Sequence, residues 1–274
     1  MISDSKQSKS LKGGENIKER NLIEVNDEVI EWAEKQENEM DYLVRLEQYR
    51  KNFLGNISHE LKTPLFAIQG YLITLIEGGL YDENINMKYL KRAVYNSDRL
   101  QKIVEDLEII NQFESGNIVL NLENFDIREL SEEVIEDLSF QADAREVELS
   151  LKDGAKSKFK VHADREKVRQ VLNNLVTNSI KYGIKGGKVR IGFYDLDESV
   201  LIEVGDNGVG IAEEHLNHLF DRFYRVDSSR NRKAGGSGLG LSIVKHILEA
   251  HNQTISVRST EGEGSTFGFT LSKA

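Results

Sequence analysis

The stretch Gly55-Asn-Ile-Ser-His-Glu-Leu-Lys-Thr-Pro-Leu65 sets a histidine beside a glutamate, a threonine four residues on, and then the only proline of the chain. On a helix His59 and Thr63 share a face one turn apart, with Glu60 the immediate neighbour of the histidine. A neutral imidazole carries a nitrogen lone pair, and a nearby carboxylate can fix which ring nitrogen holds the proton. His59-Glu60 also begins the H-E-x-x-H zinc pattern, but Thr63 stands where the second histidine ligand is required, so a zinc protease is disfavoured.

A second set of residues lies far downstream. Eleven of the 22 glycines fall between Gly183 and Gly240, too dense a cluster for ordinary turns. Backbone there must be approached closely by something. Asp206-Asn-Gly-Val-Gly-Ile211 follows an apolar strand pattern, and Gly235-Gly-Ser-Gly-Leu-Gly-Leu241 opens into a helix whose first amides can face an anion. Neither the full dinucleotide glycine pattern nor the Walker lysine is present, which leaves another class of nucleotide site. Upstream, Asn174 and Asn178 stand one helical turn apart beside Lys181 and Tyr182. Two neutral amide oxygens on one face suit a magnesium ion already chelated by phosphates.

Composition narrows the classes. With 39% hydrophobic and 30% charged residues in 274, the chain can bury a core and has room for about two domains. A formal charge of −10 argues against a nucleic-acid partner. The absence of cysteine rules out disulfides and thiolate chemistry and suits a reducing, cytoplasmic setting. No run reaches the roughly 18 to 20 apolar residues that span a bilayer.

The elements that must position these residues can be read from periodicity. Residues 1–14 are polar and expected to form a flexible lead, and residues 15–50 carry apolar positions in steps of three and four that suit a signalling helix or coiled coil. Apolar positions continue through Ile57, Leu61, Leu65, Ile68, Leu72 and Ile76, break at Gly78-Gly79, and resume from Tyr89 to Ile110. Two such helices make an antiparallel hairpin over 51–116, and pairing two hairpins into a four-helix bundle covers the stripe, so a homodimer is expected. Pro64 removes one backbone N–H inside the first helix and is expected to kink it just below His59. After a boundary at Asn117 the pattern becomes α+β: strands at 118–122, 147–151, 189–194, 200–204, 254–258 and 266–271, and helices at 127–144, 165–182 and 239–250. A mixed sheet with helices on one face follows for 117–274. The polar run 227–237, holding Arg230, Arg232 and Lys233, reads as a lid.

Taken together these motifs resemble the cytoplasmic catalytic core of sensor histidine kinases of two-component systems. Residues 55–65 resemble the H box, Arg169 to Tyr182 the N box, Asp206-Asn-Gly-Val-Gly210 the G1 box, Phe220-Asp-Arg-Phe-Tyr-Arg225 the F box and Gly236-Ser-Gly-Leu-Gly240 the G2 box, in the family's order over roughly 49–273. The resemblance implies the ATP-binding sandwich shared with gyrase, MutL and heat-shock chaperone ATPases.

It also implies roles. His59 would take the γ-phosphoryl group of ATP, Glu60 would act as general base and orient the ring, and Thr63 would orient water in a phosphatase reaction. Asp206 would accept from the adenine amino group, and Asn178, assisted by Asn174, would hold Mg²⁺. Lys181, Tyr182 and Arg225 would reach phosphates or ribose. Gly208, Gly210, Ile211, Phe220, Gly236, Ser237, Gly238, Leu239 and Gly240 would complete the ATP site. The phosphoryl group would then pass to an aspartate on a response-regulator receiver domain. A membrane would be reached only through a segment outside this chain. The main rival, an ATP-driven clamp, shares the nucleotide fold but has no use for His59.

Overall fold

A computed structural model describes residues 4–115, 119–152, 159–226 and 237–274, with the side chains of 4–31, 33, 49 and 114 left outside. The chain divides into two compact units, 1–58 and 59–274. Residues 1–58 are helical from Asp4 onward, as part of helix α1 (Asp4–Ile76). The helix passes Gly13-Gly14 and takes in most of the stretch expected as a lead. Each glycine costs only about 1 kcal/mol in a helix interior, too little to force a break. Within this unit Trp32, Met40, Leu43 and Leu46 are all at least half exposed, so the predicted seam lies uncovered in the single chain.

In the second unit, α1 ends at Ile76, a 3₁₀ turn covers Gly79–Tyr81 and α2 runs Asn86–Glu114. The break falls where the paired glycines place it: Gly78 sits at φ 119°, and a side chain on Gly79 would meet the Thr74 carbonyl at 2.7 Å. Pro64 is buried, and helix assignment continues across it. Its missing N–H leaves the carbonyl of Glu60 without a ladder partner. The hairpin buries Leu75, Ile103 and Ile110 while Leu65, Phe66, Leu72, Ile73 and Ile76 remain exposed.

The α+β part is built from β1 (Leu122–Asp126), α3 (Ile127–Asp143), β2 (Glu148–Leu151), β3 (Lys160–Asp164), α4 (Arg165–Tyr182), β4 (Lys188–Leu196), β5 (Ser199–Asp206), α5 (Glu213–Leu216), α6 (Gly240–Ala250), β6 (Ile255–Thr260) and β7 (Gly264–Ser272). Five strands form a mixed sheet in the order β2-β4-β5-β7-β6, with β2 and β4 parallel and the other pairs antiparallel. One face supplies the core: Val189 and Ile191, Val200, Ile202 and Val204, and Phe269 and Leu271 pack with Leu172, Leu175, Ile243 and Ile247 from α4 and α6, all fully buried. Outward residues such as Lys188, Arg190 and Arg258 are exposed, which is the period-two signature of a sheet covered on one side.

Two strand expectations need correction. The first strand lies at Leu122–Asp126 rather than 118–122, because its register is set by β3, which places Phe125 opposite Val161. β3 itself, Lys-Val-His-Ala-Asp, alternates polar and apolar but offers only two apolar residues, too short a run to stand out. Its place is fixed by pairing with a segment nearly forty residues earlier. The short α5 is likewise absent from the periodicity reading.

Candidate functional site

His59 sits exposed on α1. Thr63 Oγ1 donates to the His59 carbonyl at 3.1 Å, so the threonine hydroxyl lies on the same face one turn along. Glu60 does not bond to the histidine ring here. Its Oε2 accepts from Arg99 Nη2 of α2 at 3.0 Å, in a half-buried pair across the hairpin. Arg99 is absent from the sequence reading. The available signal was the gap in the α2 stripe between Ala93 and Leu100, where Asn96 and Arg99 interrupt the apolar steps opposite the H box.

The downstream residues converge at one end of the sheet. Asp206 ends β5, and both of its oxygens are engaged. Oδ1 accepts from the N–H groups of Gly208 at 2.9 Å and Ser265 at 3.3 Å, and Oδ2 accepts from Ser179 Oγ of α4 at 3.1 Å. A carboxylate offers about four acceptor sites, so these three bonds leave one lone pair on Oδ2 for an exocyclic N–H donor. Burial pushes the Asp206 carboxyl above its ordinary range, against the lowering effect of the three hydrogen bonds.

The glycines of the Asp206 turn are required by contact. A side chain on Gly208 would meet the Tyr182 carbonyl at 2.5 Å, and one on Gly210, at φ 66°, would meet the Thr260 carbonyl at 2.0 Å. Val209 N–H bonds to that Tyr182 carbonyl at 3.2 Å, tying the turn to the end of α4. Ile211 N–H donates to Ser259 Oγ at 2.8 Å. Lys181 places its ammonium 4.7 Å from the ring centroid of Tyr182. The backbone of Tyr182 thus stands against the turn that carries Gly208 and Gly210.

The F-box and G2 residues are joined by backbone. Phe223, at φ 62°, donates its N–H to the Gly238 carbonyl at 3.0 Å, and a side chain on Gly238 would strike Phe223 at 2.8 Å. Phe220 and Arg225 are half-buried on the same segment. Leu239 is fully buried and anchors the start of α6, with Gly240 as its first residue. Gly236 and the expected lid at 227–236 lie outside the described residues.

Asn174 faces this helix start from α4, and Asn178 lies half-buried one turn further along the same helix. Asn174 Oδ1 is 3.4 Å from the position a Cβ on Gly240 would take, and its Nδ2 is buried without a hydrogen-bond partner. No cluster of three or more His, Cys, Asp or Glu side chains able to hold a metal occurs among the described residues. Paired amides beside a helix N-terminus fit magnesium only as a shared ligand, with phosphate oxygens supplying the charge.

Residues from the hairpin also reach this region. Asp106 of α2, 3% exposed, accepts from Ser237 Oγ at 3.2 Å. Burial pushes its carboxyl upward, opposed chiefly by Lys102. Phe113 of α2 stacks on His246 of α6 with centroids 5.7 Å apart.

Comparison with known proteins agrees with this geometry. Residues 49–116 match the His Kinase A (phospho-acceptor) domain, and residues 163–274 match the histidine kinase-, DNA gyrase B- and HSP90-like ATPase family. The chain is 35% identical over 229 residues to the sensor histidine kinase WalK of Bacillus subtilis, covering 83% of this chain and 37% of that protein. The chain thus spans little more than a third of that relative's length. Among solved structures, the Acinetobacter baumannii histidine kinase AdeS aligns with TM-score 0.64 at 29% identity, over 78% of this chain and 97% of that one. The histidine kinase ThkA, in complex with the response regulator protein TrrA, aligns with TM-score 0.65 at 25% identity, over 81% of this chain and 61% of that one. With both domain families matched in order and the H, N, G1 and F motifs set as described, the chain belongs to the sensor histidine kinases of two-component systems.

Proposed function

We propose that this chain binds ATP with Mg²⁺, phosphorylates itself on His59 and passes the phosphoryl group to an aspartate of a response-regulator receiver domain. The observation that carries the reading is Asp206: a buried carboxylate with three internal hydrogen bonds and one lone pair left, followed by a turn whose glycines let the backbone of Tyr182 and Thr260 pack directly against it. A clamp ATPase shares that feature, and the exposed His59 with Thr63 bonded beneath it separates the two readings.

The assignments carry the motif roles onto these residues. Asp206 accepts from the adenine amino group, and Gly208, Gly210 and Ile211 form the floor. Asn178 with Asn174 holds Mg²⁺, which neutralises phosphate charge when bound. Lys181, Tyr182 and Arg225 contact phosphate or ribose, Phe220 supports the F segment, and the amides from Ser237 to Gly240 face the phosphates. Gly236 is assigned with them by the G2 motif alone. His59 Nε2, unprotonated, attacks the γ-phosphorus in line as the bond to the leaving ADP oxygen breaks. Glu60, released from Arg99, accepts the Nδ1 proton and so relieves the positive charge that the ring acquires. Thr63 orients the water that later hydrolyses the regulator's aspartyl phosphate.

Residues 15–50 act as the signalling helix, 51–116 as the dimerisation and phosphotransfer domain and 117–274 as the ATP domain. The protein works as a homodimer in the cytoplasm, attached to a membrane only through a segment outside this chain. A pulse with labelled ATP followed by a chase with a receiver domain tests the reading. Label should leave the kinase and appear on the receiver, and should fail to do so when the receiver's acceptor aspartate is replaced by Asn. Label retained on the kinase by every receiver tried would contradict the transfer step.

A further inference from the structure

Helix α2 meets α6 through a face that is apolar except at one point. Ile103 and Ile110 are fully buried and Phe113 stacks on His246, yet the residue between them is Asp106, itself 3% exposed. Its Oδ1 is buried without a hydrogen bond. The ammonium of Lys102 lies 3.4 Å from Oδ1, within ion-pair range, and belongs to a side chain 57% exposed. Hydrophobic docking alone would not call for an acid here. Burying a carboxylate costs desolvation, which only its polar partners in the contact can offset.

The partner of the other oxygen explains its place. Asp106 Oδ2 accepts from Ser237 Oγ at 3.2 Å, and the same hydroxyl oxygen accepts from the backbone N–H of Leu239 at 3.2 Å. Leu239 immediately precedes α6, whose unsatisfied amides form its positive end. The acid therefore occupies, through one hydroxyl, the ground that a phosphate would take if the nucleotide reading is right, and the inference rests on that reading.

We propose that Asp106 sets the docking of α2 on α6 in competition with nucleotide phosphates, so that binding of ATP releases the ATP domain from the hairpin. Two anions cannot share the Ser237 hydroxyl and one helix end without repulsion. By linkage, whatever the contact takes from ATP affinity, ATP takes from the contact. The empty domain is held at Asp106, about 10 Å along α2 from Arg99, which marks the level of the H box. The loaded domain is free to carry its γ-phosphate to His59.

The test is calorimetric titration of the full chain with Mg·ATP and, separately, with adenosine, for wild type, Asp106→Ala and Asp106→Asn. Both variants should bind Mg·ATP about 5- to 10-fold tighter than wild type, within the usual range of coupling between sites, with adenosine affinity unchanged. Equal or weaker ATP binding in the variants would overturn the proposal, as would equal tightening of adenosine, which lacks the phosphates. If wild type binds neither ligand, the nucleotide reading itself fails. Circular-dichroism melting of both variants identifies any that do not fold. Asp106→Asn keeps the shape and a carbonyl acceptor for Ser237, so it remains informative if Asp106→Ala does not fold.

Discussion

At the scale of single residues, Asp206 carries two separable predictions. Replacing it by Asn should weaken ATP binding about 10- to 100-fold, the range for loss of a hydrogen bond to a charged group. Titration of the variant with ATP checks this. The second concerns pH. Burial holds the Asp206 carboxyl above its ordinary range. The stability it contributes is thus present below the unfolded carboxylate pKa and is lost as pH rises through the raised folded value. Without nucleotide, the melting temperature of Asp206→Asn relative to wild type should climb as pH rises above the ordinary carboxylate range; a flat difference would contradict the burial cost. Thr63→Ala should keep autophosphorylation while slowing regulator dephosphorylation by about 100-fold, the scale of one positioned proton-transfer group. Loss of both activities together would instead make Thr63 a structural partner of the His59 carbonyl. Most site residues were legible because each motif joins residue types that one chemistry needs within a few positions. Arg99 and Asp106 were not, since their partners, Glu60 and Ser237, lie 39 and 131 residues away and only the folded hairpin brings them close.

At the scale of elements, periodicity located both hairpin helices, α3, α4, α6 and the central strands, because long amphipathic patterns and buried strands each leave a local trace. β3 left only a two-residue apolar alternation, and its pairing shifted β1 by four residues. The turn after β5 depends on backbone contact. Gly210→Ala adds a methyl 2.0 Å from the Thr260 carbonyl at a positive φ. It should lower the stability of the ATP domain by about 1–3 kcal/mol, read as a lower melting temperature together with weaker ATP binding. A variant that melts and binds as wild type would show that the turn has slack. Pro64 leaves one carbonyl unpaired without ending the helix, a local softness one turn past His59. Pro64→Ala should stiffen this point and bias the balance between kinase and phosphatase activity. An unchanged ratio of the two would remove any pivoting role.

At the scale of the whole molecule, the hairpin leaves Leu65, Phe66, Leu72, Ile73 and Ile76 of one helix exposed in the single chain. A second copy covering this stripe would complete a four-helix bundle, and Leu65→Asp with Leu72→Asp should convert a dimer to a monomer by sedimentation. If wild type sediments as a monomer, the exposed stripe has another occupant. A change of pattern near Asn117, from long helical steps to short alternating runs, was legible in the sequence. The docking of α2 on α6 was not, because an intramolecular contact between two amphipathic elements leaves no mark that distinguishes it from any other apolar face.

The central claim is that His59 receives phosphate from ATP bound at Asp206. The direct measurement is incubation of the chain with γ-labelled ATP and Mg²⁺, comparing wild type with His59→Gln and testing the acid and alkali stability of the label. Wild type should acquire an acid-labile, alkali-stable label that the variant lacks, as expected for a phosphorus–nitrogen bond. ATP hydrolysis by a wild type that never becomes labelled, or equal labelling of His59→Gln, would contradict the account and favour an ATP-driven clamp.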